Sequence, residues 1–274
     1  MKRTEFLKAT ALGTLFTGLL ARQGVWAITR NPKTTNPMKT TFHAANSRGH
    51  ANHGWLKTWH TFSFAGYYDP ARIHFGTLRV LNDDEVAGGM GFGTHPHDNM
   101  EIITIPLSGM LKHRDSMGNE GIIRAGEIQV MSAGTGIQHS EFNGHGSEPC
   151  QLLQIWVFPR EKQVQPRYDQ LTFTAADRKN RWQQILSPNP NDEGVWIHQD
   201  AWFHLIEADA GSKHRYSLKK PGNGMYFFVI EGDAQIGEQA LQRRDALGMT
   251  EATEFEFTTK SGSYALLMEI PMQL

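Results

Sequence analysis

Short runs of alternating apolar and polar residues, separated by turn residues, recur along most of this 274-residue chain. Residues 73–81, 101–107 and 152–158 are three such runs, and turn signals such as Asn82-Asp83-Asp84 lie between them. Alternation with a period of two places one face of an extended segment in a core and the other in water. Many short strands divided by turns predict an all-β sandwich or barrel.

A second series of strand-like runs begins after residues 159–166, a charged and proline-flanked segment. The two halves share a loosely similar order of strands and turns. Each has a strand that ends in a glycine turn, at Leu107-Ser108-Gly109 and at Ile230-Glu231-Gly232. This similarity suggests a duplicated barrel of antiparallel strands, with the first copy over residues 40–160 and the second over residues 161–274.

The first 27 residues have the layout of a removable secretory leader. A positively charged start is followed by an uncharged, mostly apolar run over residues 9–21 and by the small residues Val25 and Ala27. That run is too short to span a bilayer as a helix. We therefore expect a leader over residues 1–27, similar to a twin-arginine signal, and a polar tether over residues 28–39.

The leader predicts an exported, periplasmic protein without stable membrane association once the leader is removed. The alternative is a cytoplasmic protein, if translation starts at Met38 or the leader is not used.

Composition excludes several classes of protein. The formal net charge is −1 and the basic residues are scattered along the sequence. No cluster of positive charge therefore indicates a nucleic acid as partner. Cys150 is the single cysteine, so the fold cannot rely on an intrachain disulfide. Hydrophobic residues make up 39% and charged residues 20%, as in an ordinary globular protein with a sizeable core.

Two pairs of residues of types that can bind a metal are the strongest indication of function in the sequence. His95 and His97 stand two residues apart, and so do His139 and Glu141. On an extended segment, residues i and i+2 point to the same face, so each pair can converge on one ion. If the two strands are neighbours, three nitrogens and one carboxylate oxygen meet. That donor set suits iron, nickel, manganese, cobalt, copper or zinc, and an octahedral ion would keep up to two positions for small molecules.

Glu101 competes with Glu141 as the carboxylate ligand. It shares the face of His95 if the strand stays regular, so spacing alone leaves both glutamates open. We rank Glu101 as a buried polar partner. His113, with charged neighbours, is expected at a solvated strand position, and His145 in a glycine-rich loop at the surface.

The segments around these pairs resemble the pirin family of the cupin superfamily. Gly89 followed by His95-Pro96-His97 and Glu101 is similar to the first cupin motif. Residues 126–141, which contain Ser-Ala-Gly-Thr-Gly-Ile-Gln-His-Ser-Glu, are similar to the pirin form of the second motif. The resemblance covers roughly residues 40–274 and is closest to bacterial pirins with quercetinase activity.

This resemblance implies an all-β bicupin, with two antiparallel, jelly-roll-like β-barrels in tandem and a metal in the N-terminal barrel only. It implies Glu141 rather than Glu101 as the carboxylate, and iron as the commonest metal. Carried over position by position, the ligands are His95, His97, His139 and Glu141.

The function that the resemblance implies is that of a quercetin 2,3-dioxygenase, which opens the heterocyclic ring of a flavonol with O₂. The metal would act as a Lewis acid on the substrate's 3-hydroxyl, with Glu141 as general base. The implied partners are a small flavonol-like aromatic compound and O₂. The alternative is a metal-binding regulatory or redox-sensing protein without catalysis.

Overall fold

The computed structural model of the protein describes residues 38–274. The expected leader and nearly all of the tether lie outside these residues, so export stays a prediction. Among the residues described, no helix has the length and apolar character needed to cross a membrane.

The described chain consists of β-strands and two short 3-10 turns, at Ala45–Ser47 and Ala175–Arg178. The strands, in chain order, are β1 (Lys39–His43), β2 (Gly49–Asn52), β3 (Leu56–His60), β4 (Leu78–Val86), β5 (Gly91–His97), β6 (Glu101–Ser108), β7 (Met110–Asp115), β8 (Glu120–Arg124), β9 (Glu127–Ser132), β10 (Ile137–Asn143), β11 (Cys150–Val157), β12 (Arg167–Thr172), β13 (Gln183–Ser187), β14 (Val195–Trp196), β15 (Trp202–Ala208), β16 (Lys213–Ser217), β17 (Asn223–Ile236), β18 (Gln239–Gln242), β19 (Ala246–Thr250), β20 (Glu254–Thr258) and β21 (Ser263–Pro271).

Each half of the chain builds a jelly-roll-like sandwich, which confirms the predicted all-β, two-domain cupin architecture. The N-terminal half has a seven-stranded sheet in the order β12-β9-β6-β11-β4-β3-β2 and a four-stranded sheet in the order β5-β10-β7-β8. The C-terminal half has a ten-stranded sheet around the path β1-β19-β17-β21-β15-β13-β14. The predicted jelly-roll-like barrels take the form of sandwiches whose sheets do not close into a continuous barrel.

The two halves exchange strands. β1, at the start of the described chain, pairs antiparallel with β19 of the C-terminal sheet. β12, which follows the boundary expected at residue 160, pairs antiparallel with β9 of the N-terminal sheet. Each half therefore completes a sheet of the other across that boundary.

One hydrophobic core runs through both halves. Phe62 and Ile155 of the N-terminal half belong to the same buried cluster as Phe203 and Tyr226 of the C-terminal half. The Phe62 and Tyr226 rings lie 5.7 Å apart, and the Tyr226 hydroxyl is 2.6 Å from Nδ1 of His43. Because burial of apolar surface is the main favourable term in folding, the two halves stabilise each other.

A buried ion cluster also joins the halves. Nη1 of Arg48 and Nε of Arg244 lie 3.2 Å and 2.9 Å from Oδ2 of Asp83, and all three side chains are almost fully buried. Arg48 and Asp83 belong to the N-terminal half, whereas Arg244 precedes β19 in the C-terminal half. The carboxylate of Asp83 therefore compensates two guanidinium groups that burial has removed from water.

Replacing Asp83 with Asn should lower the free energy of unfolding by roughly 3–5 kcal/mol, because it removes the carboxylate that pairs with Arg48 and the closer of the two carboxylates that pair with Arg244. Urea denaturation of the purified variant measures this loss. Asp209→Asn, which breaks an exposed ion pair with Lys179, is the matched control and should cost about 1 kcal/mol or less. A loss at Asp83 no larger than that of the control would contradict the assigned role.

The interior of the C-terminal half is packed with aromatic side chains. Phe227 and Phe257 have ring centroids 5.1 Å apart. His204 is buried among them, 5.0 Å from the Tyr216 ring, and burial followed by the charge of Lys219 lowers the pKa of His204 to about 3. His204 is therefore neutral in the folded protein at neutral pH.

This histidine should make stability depend on pH. A histidine in the unfolded chain has a pKa of about 6.5, whereas His204 in the folded protein has a pKa of about 3. Between pH 6.5 and about pH 3, therefore, this residue is protonated in the unfolded chain but not in the folded protein. Stability is then lost as the pH falls through this window, by up to about 1.4 kcal/mol per pH unit. Urea denaturation of metal-free His204→Gln at a series of pH values should show a pH slope smaller by that amount. Equal slopes in the variant and the parent protein would refute the prediction.

Candidate metal centre

The two predicted ligand pairs lie on neighbouring strands. β5 and β10 pair antiparallel, with His95 directly opposite His139 and His97 opposite Ile137. Directly opposed residues point to the same face of a sheet. The pairing therefore brings His95, His97 and His139 to one face of the four-stranded sheet.

The three histidines form a compact group. Their ring centroids are 4.4 to 5.0 Å apart, and one nitrogen of each lies within 4.8 Å of the others. Nδ1 of His95 is 2.8 Å from the carbonyl oxygen of Gly93, so it donates there and leaves Nε2 with a free lone pair. A histidine held by such a bond is oriented for metal binding.

Glu141 is buried, and at the same 4.8 Å spacing it groups with His139 and His113 rather than with His95 and His97. Its Oε2 accepts a hydrogen bond of 3.0 Å from Nε2 of Gln154, and its Oε1 accepts one of 3.4 Å from the hydroxyl of Thr104. A register shift in the pairing of β10 with β5 lies between His139 and Glu141.

The electrostatics of these residues favour cation binding. Burial, and then the neighbouring histidines, lower the pKa of His139 to about 2. Burial, with a contribution from His95, lowers the pKa of His97 to about 4. Both rings are neutral at neutral pH and offer lone pairs. Burial raises the pKa of Glu141 to about 7, although the hydrogen bonds from Gln154 and Thr104 act in the opposite direction. A nearby cation would stabilise the charged form of Glu141.

His139 shows that these residues fit a metal ion. Both of its ring nitrogens are buried and have no hydrogen-bond partner within residues 38–274. Buried polar atoms are normally paired, because an unpaired one has lost its hydration without compensation. Three imidazoles and a carboxylate are a donor set for a divalent transition metal, so an ion among them would satisfy one of the two ring nitrogens of His139.

Glu101 lies outside both groups of candidate ligands. Asn99 has a left-handed φ of 44°, so the chain turns after β5 and Glu101 starts a strand of the other sheet. There its Oε2 accepts a hydrogen bond of 2.6 Å from the Ser132 hydroxyl, and burial raises its pKa to about 7. Glu101 is thus a buried polar residue, as ranked, and the assumption of a regular strand from His95 to Glu101 was wrong.

The expectation that His113 is solvated is also wrong. His113 is only 1% exposed, and its Nε2 lies 3.3 Å from Oδ2 of Asp115. The signal that sequence reasoning missed is the period of two in β7, where Leu111, His113 and Asp115 alternate with exposed residues. His145 is exposed in its loop, as expected.

A cavity of about 270 Å³ opens beside the histidines. On the metal-facing side it is lined by His95, His97 and Glu141. Its other walls come mainly from strands of the seven-stranded sheet and combine apolar with polar side chains. These are His53, Leu56, Thr58, His60, Phe64, Ala65, Asn82, Asp84, Phe92, Gln154 and Trp156. A small, partly enclosed pocket next to convergent polar groups is the usual form of a ligand site.

Two family models match the chain. The model described as Pirin matches residues 41–157, and the model described as Quercetinase C-terminal cupin domain matches residues 184–270.

Several known proteins are similar over most of the chain. A quercetin 2,3-dioxygenase of Escherichia coli (strain K12) is 43% identical over 229 residues, which cover 83% of this chain and 96% of the relative. A pirin-like protein of Caulobacter vibrioides is 37% identical over 222 residues, covering 81% of this chain and 95% of the relative. The crystal structure of the bacterial pirin YhhW from Escherichia coli in complex with nickel(II) is similar with a TM-score of 0.80 and 40% identity. That similarity covers 85% of this chain and 99% of that one.

Replacing His97 or Glu141 with Ala should abolish metal retention, because each removes a predicted ligand. Metal analysis after dialysis of the loaded protein against buffer measures the bound ion per chain. Glu101→Gln is the control and should retain as much metal as the parent protein, since Glu101 faces Ser132. Loss of metal from Glu101→Gln alone would show that the carboxylate ligand has been misassigned.

Proposed function

The chain belongs to the pirin family, and from that premise we propose that it is a metal-dependent dioxygenase that opens the heterocyclic ring of a flavonol such as quercetin with O₂. The observation that carries the proposal is the cavity that Glu141 and two of the histidines share with aromatic side chains. The similarity of this chain to a relative named quercetin 2,3-dioxygenase also supports the proposal.

His95, His97, His139 and Glu141 would hold the metal, with iron or nickel among the candidates. When bound there, a divalent ion supplies Lewis-acid stabilisation of the substrate's deprotonated 3-hydroxyl. Burial lowers the pKa of both His97 and His139, so these two rings are neutral at physiological pH and do not repel the cation.

Glu141 is suited to take the proton from that hydroxyl. It lines the cavity, and burial raises its pKa, whereas a bound cation would favour the charged form that can accept a proton. A general base must lie within hydrogen-bond reach of the proton that it takes, and a place beside the metal-bound hydroxyl would meet that condition. The hydrogen bonds from Gln154 and Thr104 fix the direction of the carboxylate.

The apolar walls suit a flat aromatic ligand. The Trp156 ring is perpendicular to those of Phe64 and His97, at centroid distances of 5.3 Å and 4.8 Å. Phe92 lines the same cavity. Aromatic walls bind a planar substrate by burial and by ring contacts, and they exclude water from the reacting atoms. The volume of about 270 Å³ limits the ligand to a small molecule.

A polar wall of the cavity matches a polyhydroxylated substrate. Nδ1 of His60 is 2.9 Å from Oδ1 of Asn82. Oδ1 of Asp84 is buried with no hydrogen-bond partner in the described part of the chain, and burial raises the pKa of Asp84 to about 7. An unpaired oxygen at the edge of a cavity can bind a phenolic hydroxyl group that the substrate brings.

The direct test is turnover of quercetin. The protein, loaded separately with iron, nickel, manganese, cobalt or copper, is incubated with quercetin in air while flavonol absorbance and oxygen uptake are followed together. We expect stoichiometric loss of flavonol and O₂ with at least one metal. Glu141→Gln should lower kcat by about 100-fold or more, the usual contribution of a general base, whereas Glu101→Gln should leave kcat unchanged.

A protein that binds metal with the expected stoichiometry but turns over no flavonol with any of these ions would contradict the proposal. That result would favour the alternative of a metal-binding regulatory or redox-sensing protein.

A further inference from the structure

The cavity wall that the seven-stranded sheet provides has two buried polar atoms without a partner. One is Oδ1 of Asp84 on β4, and the other is the indole nitrogen Nε1 of Trp156 on β11. Neither makes a hydrogen bond to any residue from 38 to 274, and both side chains line the cavity. Leaving a buried donor or acceptor unpaired is costly, so we expect a molecule bound in the cavity to pair with them.

The two side chains lie at opposite ends of this wall. β4 and β11 pair antiparallel, with Asp84 opposite Leu152 and Val80 opposite Trp156. Opposed residues, and residues an even number apart along a strand, share one face of a sheet. Val80 and Asp84 are four residues apart, which separates the Trp156 end from the Asp84 end by about 13 Å along the strands.

The polar side chains between these two ends are already paired within the protein. Oδ1 of Asn82 lies 2.9 Å from Nδ1 of His60. Gln154, which is opposite Asn82, donates a hydrogen bond of 3.0 Å to Glu141 and accepts one of 3.1 Å from the Thr104 hydroxyl. The middle of the wall is therefore satisfied, whereas its two ends are not.

The predicted metal ligands reach this wall between its ends. Glu141 is hydrogen-bonded to Gln154 at the middle of the wall, and the His97 ring packs against Trp156 with centroids 4.8 Å apart. A flat molecule whose central oxygen lies beside Glu141 can therefore reach Trp156 with one end and Asp84 with the other. A flavonol has this form, because its 3-hydroxyl is on the central ring and a benzene ring lies at each end.

We propose that Trp156 and Asp84 determine which flavonols the cavity accepts, each by binding a hydroxyl group on one terminal ring. The indole N–H of Trp156 donates to a hydroxyl oxygen at one end, and Oδ1 of Asp84 accepts a hydrogen bond from a hydroxyl group at the other. The site then selects flavonols that are hydroxylated on both terminal rings, because a bare ring leaves a buried protein group unpaired. This inference rests on the proposed function, which supplies the flavonol.

The test compares two flavonols with the same 3-hydroxyl. Quercetin has further hydroxyl groups on both terminal rings, and 3-hydroxyflavone has none there. The Ni²⁺-loaded protein is titrated with each compound in the absence of O₂, and the change in flavonol absorbance gives the two Kd values. With two hydrogen bonds that each contribute roughly tenfold, the parent protein should bind quercetin roughly 100-fold more tightly than 3-hydroxyflavone.

Each hydrogen bond is removed by a separate variant. Trp156→Phe keeps an aromatic wall without the N–H donor, and Asp84→Ala removes the acceptor. Each variant should lower the ratio of the two Kd values roughly tenfold. The ratio cancels any loss of folded protein or bound metal, because such a loss affects both flavonols equally.

The matched control is Glu85→Ala. Glu85 follows Asp84 on β4, points to the other face of the sheet and pairs with Lys57 at 2.7 Å. This variant should keep the parent ratio. Asp84→Leu has a side chain of similar size without a hydrogen-bonding group, so it replaces Asp84→Ala if that variant does not fold.

A parent-like ratio in a folded variant at either position would overturn the role of that residue. This outcome leaves the proposed ring opening intact, because turnover of quercetin by the parent protein is measured separately. A parent protein that binds neither flavonol would contradict this inference and the proposed function together.

Discussion

The centre depends on the pairing of β10 with a strand on each side. Its register against β5 sets His139 opposite His95, and its register against β7 sets Glu141 opposite His113. Since side chains alternate with a period of two, a slip of β10 by one residue would turn His139 and Glu141 to the other face of the sheet, away from His95 and His97. Hydrogen bonding between backbones, rather than contact between the ligands themselves, therefore determines which donors can meet.

Two smaller hydrophobic clusters pack that sheet against the seven-stranded sheet, through Leu111 and Ile123 in one cluster and Ile137 in the other. β1 and β12 each complete a sheet of the other half, and one core runs through both halves. Burial in this framework lowers the pKa of His139 and raises that of Glu141. Burying an imidazole lone pair or a carboxylate without a partner is unfavourable. Both groups bind a cation well, so the same burial prepares these residues for a metal ion.

Alternation and motif spacing predicted the all-β architecture and the convergence of the three histidines, because both follow from the local geometry of a strand. The exchange of β1 and β12 was not predictable, since alternation identifies a face but not a partner strand. Spacing could not separate Glu101 from Glu141, because the turn at Asn99 lies between the two strands. The burial of His113 was missed because its sequence neighbours are charged. The cavity wall around Asp84 could not be predicted, because its residues come from segments that are distant in the sequence.

We expect His95, His97, His139 and Glu141 to bind one divalent ion together. Crystals of the protein grown with Ni²⁺ and measured at the nickel absorption edge would locate that ion. One strong anomalous peak per chain should lie about 2.0–2.2 Å from a nitrogen of each histidine and from an oxygen of Glu141. A peak bound elsewhere, or bound without His139, would contradict this expectation.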